Sequence, residues 1–276
     1  MTGARKGAYG LSLGAPVDPT YLVDAPDDWP HWELAWQLRP AEEAEPQHLG
    51  PSSALVNVLP AGQVRIDRHA SRSTFLLPQP PSPHAWVHPY LSSTAVVAAR
   101  WAGQVSLHAG CFVLGGGAWG VIGERNAGKS SALAWLASQE VPVLCDDILV
   151  VDGDRALAGP RCLDLRRSAW EHFGLGTYIG VVGTRERWRA QLPSLAASYP
   201  LRGWVAPTWG DELGVTRMTG PERLKELMTH RGLRLPEADG GPWLGPLALP
   251  MYKLTRPTDW AQMDKAMTVL LDVLAG

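Results

Sequence analysis

Between Trp119 and Val151 an apolar run, Trp119-Gly120-Val121-Ile122, leads into Gly123-Glu124-Arg125-Asn126-Ala127-Gly128-Lys129-Ser130. The octapeptide is G-x-x-x-x-G-K-S, the phosphate-binding loop pattern, and its surroundings are those the pattern requires. The apolar run reads as a strand entering the loop. After it, Lys129 to Gln139 carries Ala132, Leu133, Leu136 and Ala137 at helical spacing. Glycines at 123 and 128 let backbone N–H groups approach a phosphate chain, and a helix starting at Lys129 aims its positive end at the anion. In such a loop Lys129 reaches the terminal phosphates and the Ser130 hydroxyl holds Mg²⁺. Ala127 and Ser131 complete the cradle. Asn126 suits a turn because asparagine tolerates the left-handed backbone conformation.

Few function classes survive the composition. The 276 residues suit one large domain or two small ones, and the net charge of −2 gives no basic field for nucleic acid or an anionic membrane. No apolar run approaches the ~18 residues of a membrane span. Arg5 and Lys6 are followed by no apolar stretch of a signal peptide. Cys111, Cys145 and Cys162 are odd in number and form no C-x-x-C pair, so buried reduced thiols and a cytoplasmic setting are expected. Most of the 13 tryptophans are expected in the core.

The chain up to about residue 87 reads as a separate β-rich unit. Trp32, Leu34, Trp36 and Leu38 alternate with polar or small residues, as on a half-buried strand; Trp32 and Trp36 would share a face, as core or as a docking surface. Ala54–Leu59 and Val64–Asp67 read as a hairpin, Thr74–Leu77 as a short strand. The prolines of 78–83 mark a stiff linker and boundary. His31, His48, His69 and His84 lack ligand spacing. Beyond the linker a helix is expected in 89–101, then a glycine-broken hairpin whose second strand delivers the loop. Val141–Leu144 reads as a buried strand ending in Asp146-Asp147, followed by a strand at Ile148–Val151. Adjacent residues on a strand face opposite ways, so the two aspartates are expected to differ in role. Arg185, Arg187 and Arg189 alternate on another strand, where arginines could stabilise a transferring phosphoryl group or simply form a solvated face. Two amphipathic helices, 221–231 and 260–274, read as scaffold.

Ser106-Leu107-His108-Ala109-Gly110, the broken hairpin, G-x-x-x-x-G-K-S, a helix and Val143-Leu144-Cys145-Asp146-Asp147 follow one another in an order and spacing that resembles the catalytic domain of HPr kinase/phosphorylase. The likeness extends to related serine kinases of ribosomal precursor peptides, such as those of lasso peptides. It is firm over 105–167, looser through 200–205, 217–228 and 249–256, and absent before residue 88. It implies an α/β fold: a P-loop, HPr-kinase-like (PEP-carboxykinase-like) mixed-sheet domain over 88–276, with a small β-rich domain over 1–87. It implies ATP or GTP with Mg²⁺, and a Ser or Thr hydroxyl of a protein or precursor peptide as acceptor. Asp146 matches the family's acid/base aspartate, with Asp147 supporting it and His108 beside it. Ser130, Asp147 and Asp164 are implied as metal residues, Asp164 because Leu163-Asp164-Leu165-Arg166 resembles an L-E-[IV]-R signature. Arg125 stands where the family's loop usually has serine and adds a candidate phosphate contact; Arg187 and Arg189 are further candidates. Self-association is compatible with the resemblance. Two other readings stay open: a nucleotide-binding regulatory module without transfer, and a kinase of a small hydroxylated metabolite.

Overall fold

The central strands of the molecule send successive side chains into two different cores. In the computed structural model, which describes residues 4–232 and 241–276, Cys111 and Val113 face one apolar cluster while Phe112 between them faces another; Ile122 and Val121, and Trp204 and Val205, divide in the same way. A strand buried on both faces needs an unbroken apolar run, which is what these segments carry.

Strands β1 (Lys6–Ala8), β2 (Leu11–Leu13), β3 (Val23–Asp24), β4 (His31–Leu38), β5 (His48–Leu49), β6 (Ser53–Asn57), β7 (Gln63–Asp67) and β8 (Arg72–Leu77) form the first sheet, in the order β3-β1-β2-β4-β8-β7-β6-β5. β4 is parallel to both its neighbours, and the expected β6–β7 hairpin is antiparallel. Residues 1–3 lie outside the described residues. Trp32 is buried at 5% exposure, its indole N–H donating to Ser73 Oγ, whereas Trp36 on the same strand is 41% exposed. The two share a face of the strand but not its burial: the strand leaves the core's cover along its length, with Gln37 and Leu38 also exposed.

After Ser82 caps α1 (Pro83–Ala85), a kinked turn carrying His88 leads to α2 (Leu91–Trp101). Then follow β9 (Val105–Leu107), β10 (Ala109–Leu114), β11 (Gly117–Ile122), α3 (Lys129–Ser138), β12 (Val143–Cys145), β13 (Leu149–Asp152), β14 (Arg155–Leu157), β15 (Cys162–Leu165), α4 (Arg167–Phe173), β16 (Thr177–Val182) and β17 (Arg185–Gln191). The long β18 (Ser198–Trp209), β19 (Gly214–Arg217), α5 (Gly220–Thr229), α6 (Leu244–Ala248), β20 (Met251–Arg256) and α7 (Met263–Ala275) complete the chain. The large sheet runs β12-β10-β11-β18-β14-β13-β9, with β20 parallel to β18 and β19 at its edge; β15-β17-β16 form a small antiparallel sheet. This is a mixed α/β fold with several sheets.

One face of the large sheet packs on α2 and the first sheet, the other on α3 and α7. Gly110 lets α3 lie close: a Cβ there would come within 2.4 Å of Leu133 Cδ1. The prolines of 78–83 do not separate two cores, because one apolar cluster runs from Ala8 through Phe75 and Leu91 to Trp204. Tyr9 N–H donates to Ala158 O at 2.7 Å and Arg161 N–H to Tyr21 O at 2.8 Å, which ties β1–β3 to the second sheet through backbone bonds. All three cysteines are free and buried. No helix among the described residues is long and apolar enough to cross a membrane.

Candidate functional site

A cleft of about 610 Å³ opens where β11 ends, and the loop between β11 and α3 forms its floor. Gly123, Asn126 and Gly128 all take positive φ, at 151°, 72° and 90°. Those values turn the chain tightly enough to bring the start of α3 into the cleft. Ala127 N–H closes an inner turn on Glu124 O at 3.1 Å, and Ala127 itself is buried. Lys129 Nζ donates to Gly123 O at 2.6 Å and Glu124 O at 3.0 Å, so the lysine lies along the loop. Burial lowers its pKa, with Asp146 and Asp147 opposing that shift. Arg125, Asn126, Gly128, Lys129, Ser130 and Ser131 line the cavity. A helix start, glycine-shaped backbone and a desolvated ammonium make a cradle for an anion.

Across the cleft, the expectation about the aspartates needs correcting in its geometry. Asp146 and Asp147 lie beyond the last residue of β12, and Asp147 has φ 70°, so strand alternation does not apply. Both line the same cavity. They differ instead by their partners. Asp146 Oδ1 accepts from Ser130 Oγ at 3.3 Å and from Asp147 N–H at 2.9 Å, while Oδ2 has no hydrogen-bond partner among the described residues. Desolvation first, then the charge of Asp147, raises the pKa of Asp146, with the Asp147 N–H pulling the other way. Asp147 is turned to His88 Nδ1, His108 Nδ1 and Ser92 Oγ, each at 3.4 Å from its carboxylate. His108 Nδ1 also lies 2.9 Å from Asp147 O, which implies that Nδ1 carries the proton; its backbone N–H is fixed by His230 O at 2.7 Å. Arg161 supports the strand beneath, donating to Val143 O, Leu144 O and Pro193 O; burial lowers its pKa to about 10.

The other candidates separate. Asp164 and Arg189 answer each other: Nε to Oδ1 and Nη2 to Oδ2, both 2.7 Å, with Arg189 3% exposed and also donating to His84 O. Asp164 lines the cavity but both its oxygens hold a guanidinium, and Arg189 is not among the lining residues. Arg187, two residues earlier on β17, does reach the cavity, and its Nε is buried without a partner among the described residues. For a divalent cation, the Ser130 hydroxyl and Asp146 Oδ1 are the neighbouring oxygens that fit, a hard donor set of the kind Mg²⁺ takes. Among the described residues no group of three or more His, Cys, Asp or Glu side chains is gathered to hold a metal alone.

Sequence reading missed the wall that backs the loop. Arg256, at the end of β20, is 2% exposed, and its Nε and Nη2 have no hydrogen-bond partner among the described residues. Burial lowers its pKa. Its guanidinium lies 4.2 Å from the Trp209 ring centroid, and Trp209 in turn donates its indole N–H to Asn126 O at 2.8 Å. A Cβ on Gly128 would come within 2.5 Å of Arg256 Nη2, so the second glycine leaves space for this arginine. A buried, unanswered cation against a phosphate-type loop is what an anion site needs. The sequence could have flagged Arg256 only by its place at the end of an apolar strand. His88 was hidden behind a proline, and Tyr9, whose hydroxyl is 3.5 Å from Asp146 O, comes from the first sheet.

No protein-family model matches this chain, and no curated protein matches it. Among solved structures it is similar to the HPr(Ser) kinase/phosphatase from Coxiella burnetii, at 17% identity over 62% of this chain and 97% of that one, with a TM-score of 0.29.

Proposed function

We propose that the protein is a nucleotide-dependent kinase that transfers the γ-phosphoryl group of ATP or GTP to the Ser or Thr hydroxyl of a protein or peptide. The observation that carries this reading is the pairing of Ser130 with Asp146 at 3.3 Å beneath an anion cradle, with Asp146 lining the cleft and its second oxygen free of hydrogen bonds among the described residues. Lys129, the loop amides, Arg125 and Arg256 would bind and orient the phosphates. Mg²⁺, bound at Ser130 and Asp146 Oδ1, would neutralise charge on the phosphate oxygens. Asp146 Oδ2 takes the proton from the acceptor hydroxyl, and burial, which raises the pKa of this carboxyl, favours its holding one. His108 and His88 hold Asp147, whose backbone N–H fixes Asp146 in place. Positioning and charge then carry the transfer, as expected for a mainly dissociative transition state.

A regulatory module that binds nucleotide without transfer would need the same cradle but no open carboxylate oxygen, so Asp146 favours the enzyme. Single-turnover transfer from [γ-³²P]ATP to a Ser peptide tests this. Asp146→Asn should retain nucleotide binding and lose transfer by at least about 100-fold, the low end of general-base contributions. Transfer at the wild-type rate in that variant would remove Asp146 from the role.

A further inference from the structure

The cations around the cleft are distributed on two sides. On the P-loop side stand Lys129, Arg125 and Arg256. On the other, Arg187 lines the cavity from β17, Arg185 projects from the same strand two residues earlier, and Arg166 reaches over to donate its Nη1 hydrogen to Asn126 Oδ1 at 2.8 Å. Alternate residues of a strand share a face, so Arg185 and Arg187 point the same way. None of these three guanidinia forms an ion pair with a carboxylate among the described residues, and Arg187 Nε is buried and unbonded. The nearby acids are already engaged: Glu186 with Arg167 at 3.1 Å, and Asp164 with Arg189 at 2.7 Å.

The arginines also disturb one another. Arg166 is lowered from the usual guanidinium range by burial first, then by Arg185, Arg187 and Arg125. A chain of net charge −2 that concentrates unpaired cations here keeps a local repulsion that a bound anion would relieve. The loop, α3, Lys129 and Arg256 already offer a triphosphate donors from one side, and the β17 arginines stand apart from them. Guanidinium forks are suited to planar, bidentate capture of carboxylate or phosphate.

We infer that the acceptor brings its own anionic group, a carboxylate or phosphate close to the accepting hydroxyl, and that Arg166, Arg185 and Arg187 bind it. This rests on the kinase reading above and narrows its acceptor class to acidic or already phosphorylated segments. Acceptor recognition is then largely a matter of charge at the cleft's β17 edge, and it weakens with salt.

The test uses the full chain saturated with Mg²⁺ and the non-hydrolysable AMP-PNP, so that the γ-phosphate position is filled. Calorimetric titration follows with N-acetyl-aspartate, O-phosphoserine and the neutral N-acetyl-serine amide. The expected result is saturable binding of at least one anionic probe, tenfold or more tighter than the neutral one. Comparing the two anions decides between carboxylate and phosphate. Arg185→Gln/Arg187→Gln should lose at least tenfold more affinity for that anion than for AMP-PNP, with folding checked by melting. The single charge reversal Arg185→Glu should weaken the anion in the same direction. Equal binding of neutral and anionic probes, or variants that lose only AMP-PNP affinity, would overturn the inference and give these arginines to the nucleotide. Should AMP-PNP fail to bind at all, the kinase reading fails on its own. The same anion titration without nucleotide still decides the arginine site, which is supported by binding lost in the double variant and overturned by no binding.

Discussion

Arg189 and Arg256 are equally removed from solvent, at 3% and 2% exposure, on opposite flanks of one cleft. Arg189 sits in the small sheet with a two-bond carboxylate partner, Asp164, and a backbone carbonyl besides. Arg256 sits behind the P-loop with an aromatic face and two unanswered N–H donors. Arg161, a third buried arginine, is satisfied entirely by carbonyls under β12. A buried charge that is fully answered within the protein holds the fold; one that is left unanswered is supported by the rest of the fold for something that binds. The same residue type is thus answered within the protein on one flank and left open on the other.

The comparison is sharpest under substitution. Arg189→Met strands the Asp164 carboxylate without its partner and should cost about 3–5 kcal/mol of stability, read from denaturant unfolding. The double variant Arg189→Met/Asp164→Leu removes both charges and should recover most of that loss; no recovery would mean that the pair's packing, not its charge, matters. Arg256→Met removes a charge that meets an aromatic face but no carboxylate among the described residues. Its stability without ligand should move by less than about 1 kcal/mol in either direction, while the Kd for MgATP rises tenfold or more, about 1.4 kcal/mol. A stability loss as large as that of Arg189→Met would erase the distinction between the two arginines.

Much of the P-loop flank was legible in the sequence because its chemistry is local. Gly123 to Ser130 are consecutive, the glycine spacing is read by eye, and the left-handed Asn126 is a property of one residue type. The hairpin, α2, α3 and β17 follow from periodicity in the same way. The walls around the loop are assembled from β20, the end of β18 and the kink before α2, and no spacing links Arg256, Trp209 and His88. The relation of the two aspartates escapes the sequence for a local reason: Asp147 turns to φ 70°, which period-two reasoning does not foresee. Asp164 and Arg189 were each noticed as candidates, but only the register of β15 against β17 shows that they are directly opposite and occupy one another. The proline run at 78–83 looked like a boundary because composition marks stiffness, not which surfaces are buried behind it.

A smaller effect concerns pH. Burial and Asp147 hold the Asp146 pKa above its unfolded value, so the stability this group contributes is full where it is protonated, below the unfolded pKa, and is lost as pH rises through the folded one. Asp146→Asn, neutral at every pH, should therefore melt a few degrees above wild type at neutral pH. That advantage should shrink toward zero as the pH falls into the carboxylate range. A variant that melts lower than wild type at neutral pH would show that the ionised carboxylate is better satisfied than its burial suggests.

The most direct test of the phosphate site is a melting curve with and without MgATP or MgGTP. At 100 times its Kd either nucleotide adds about 2.7 kcal/mol to stability, a readily resolved rise in Tm. The expected result is that rise in the wild-type protein, reduced in Arg256→Met and lost in Lys129→Ala. No shift with either nucleotide at millimolar concentration, or a shift that survives unchanged in Lys129→Ala, would contradict the assignment of the loop and its unanswered arginine to nucleotide phosphates.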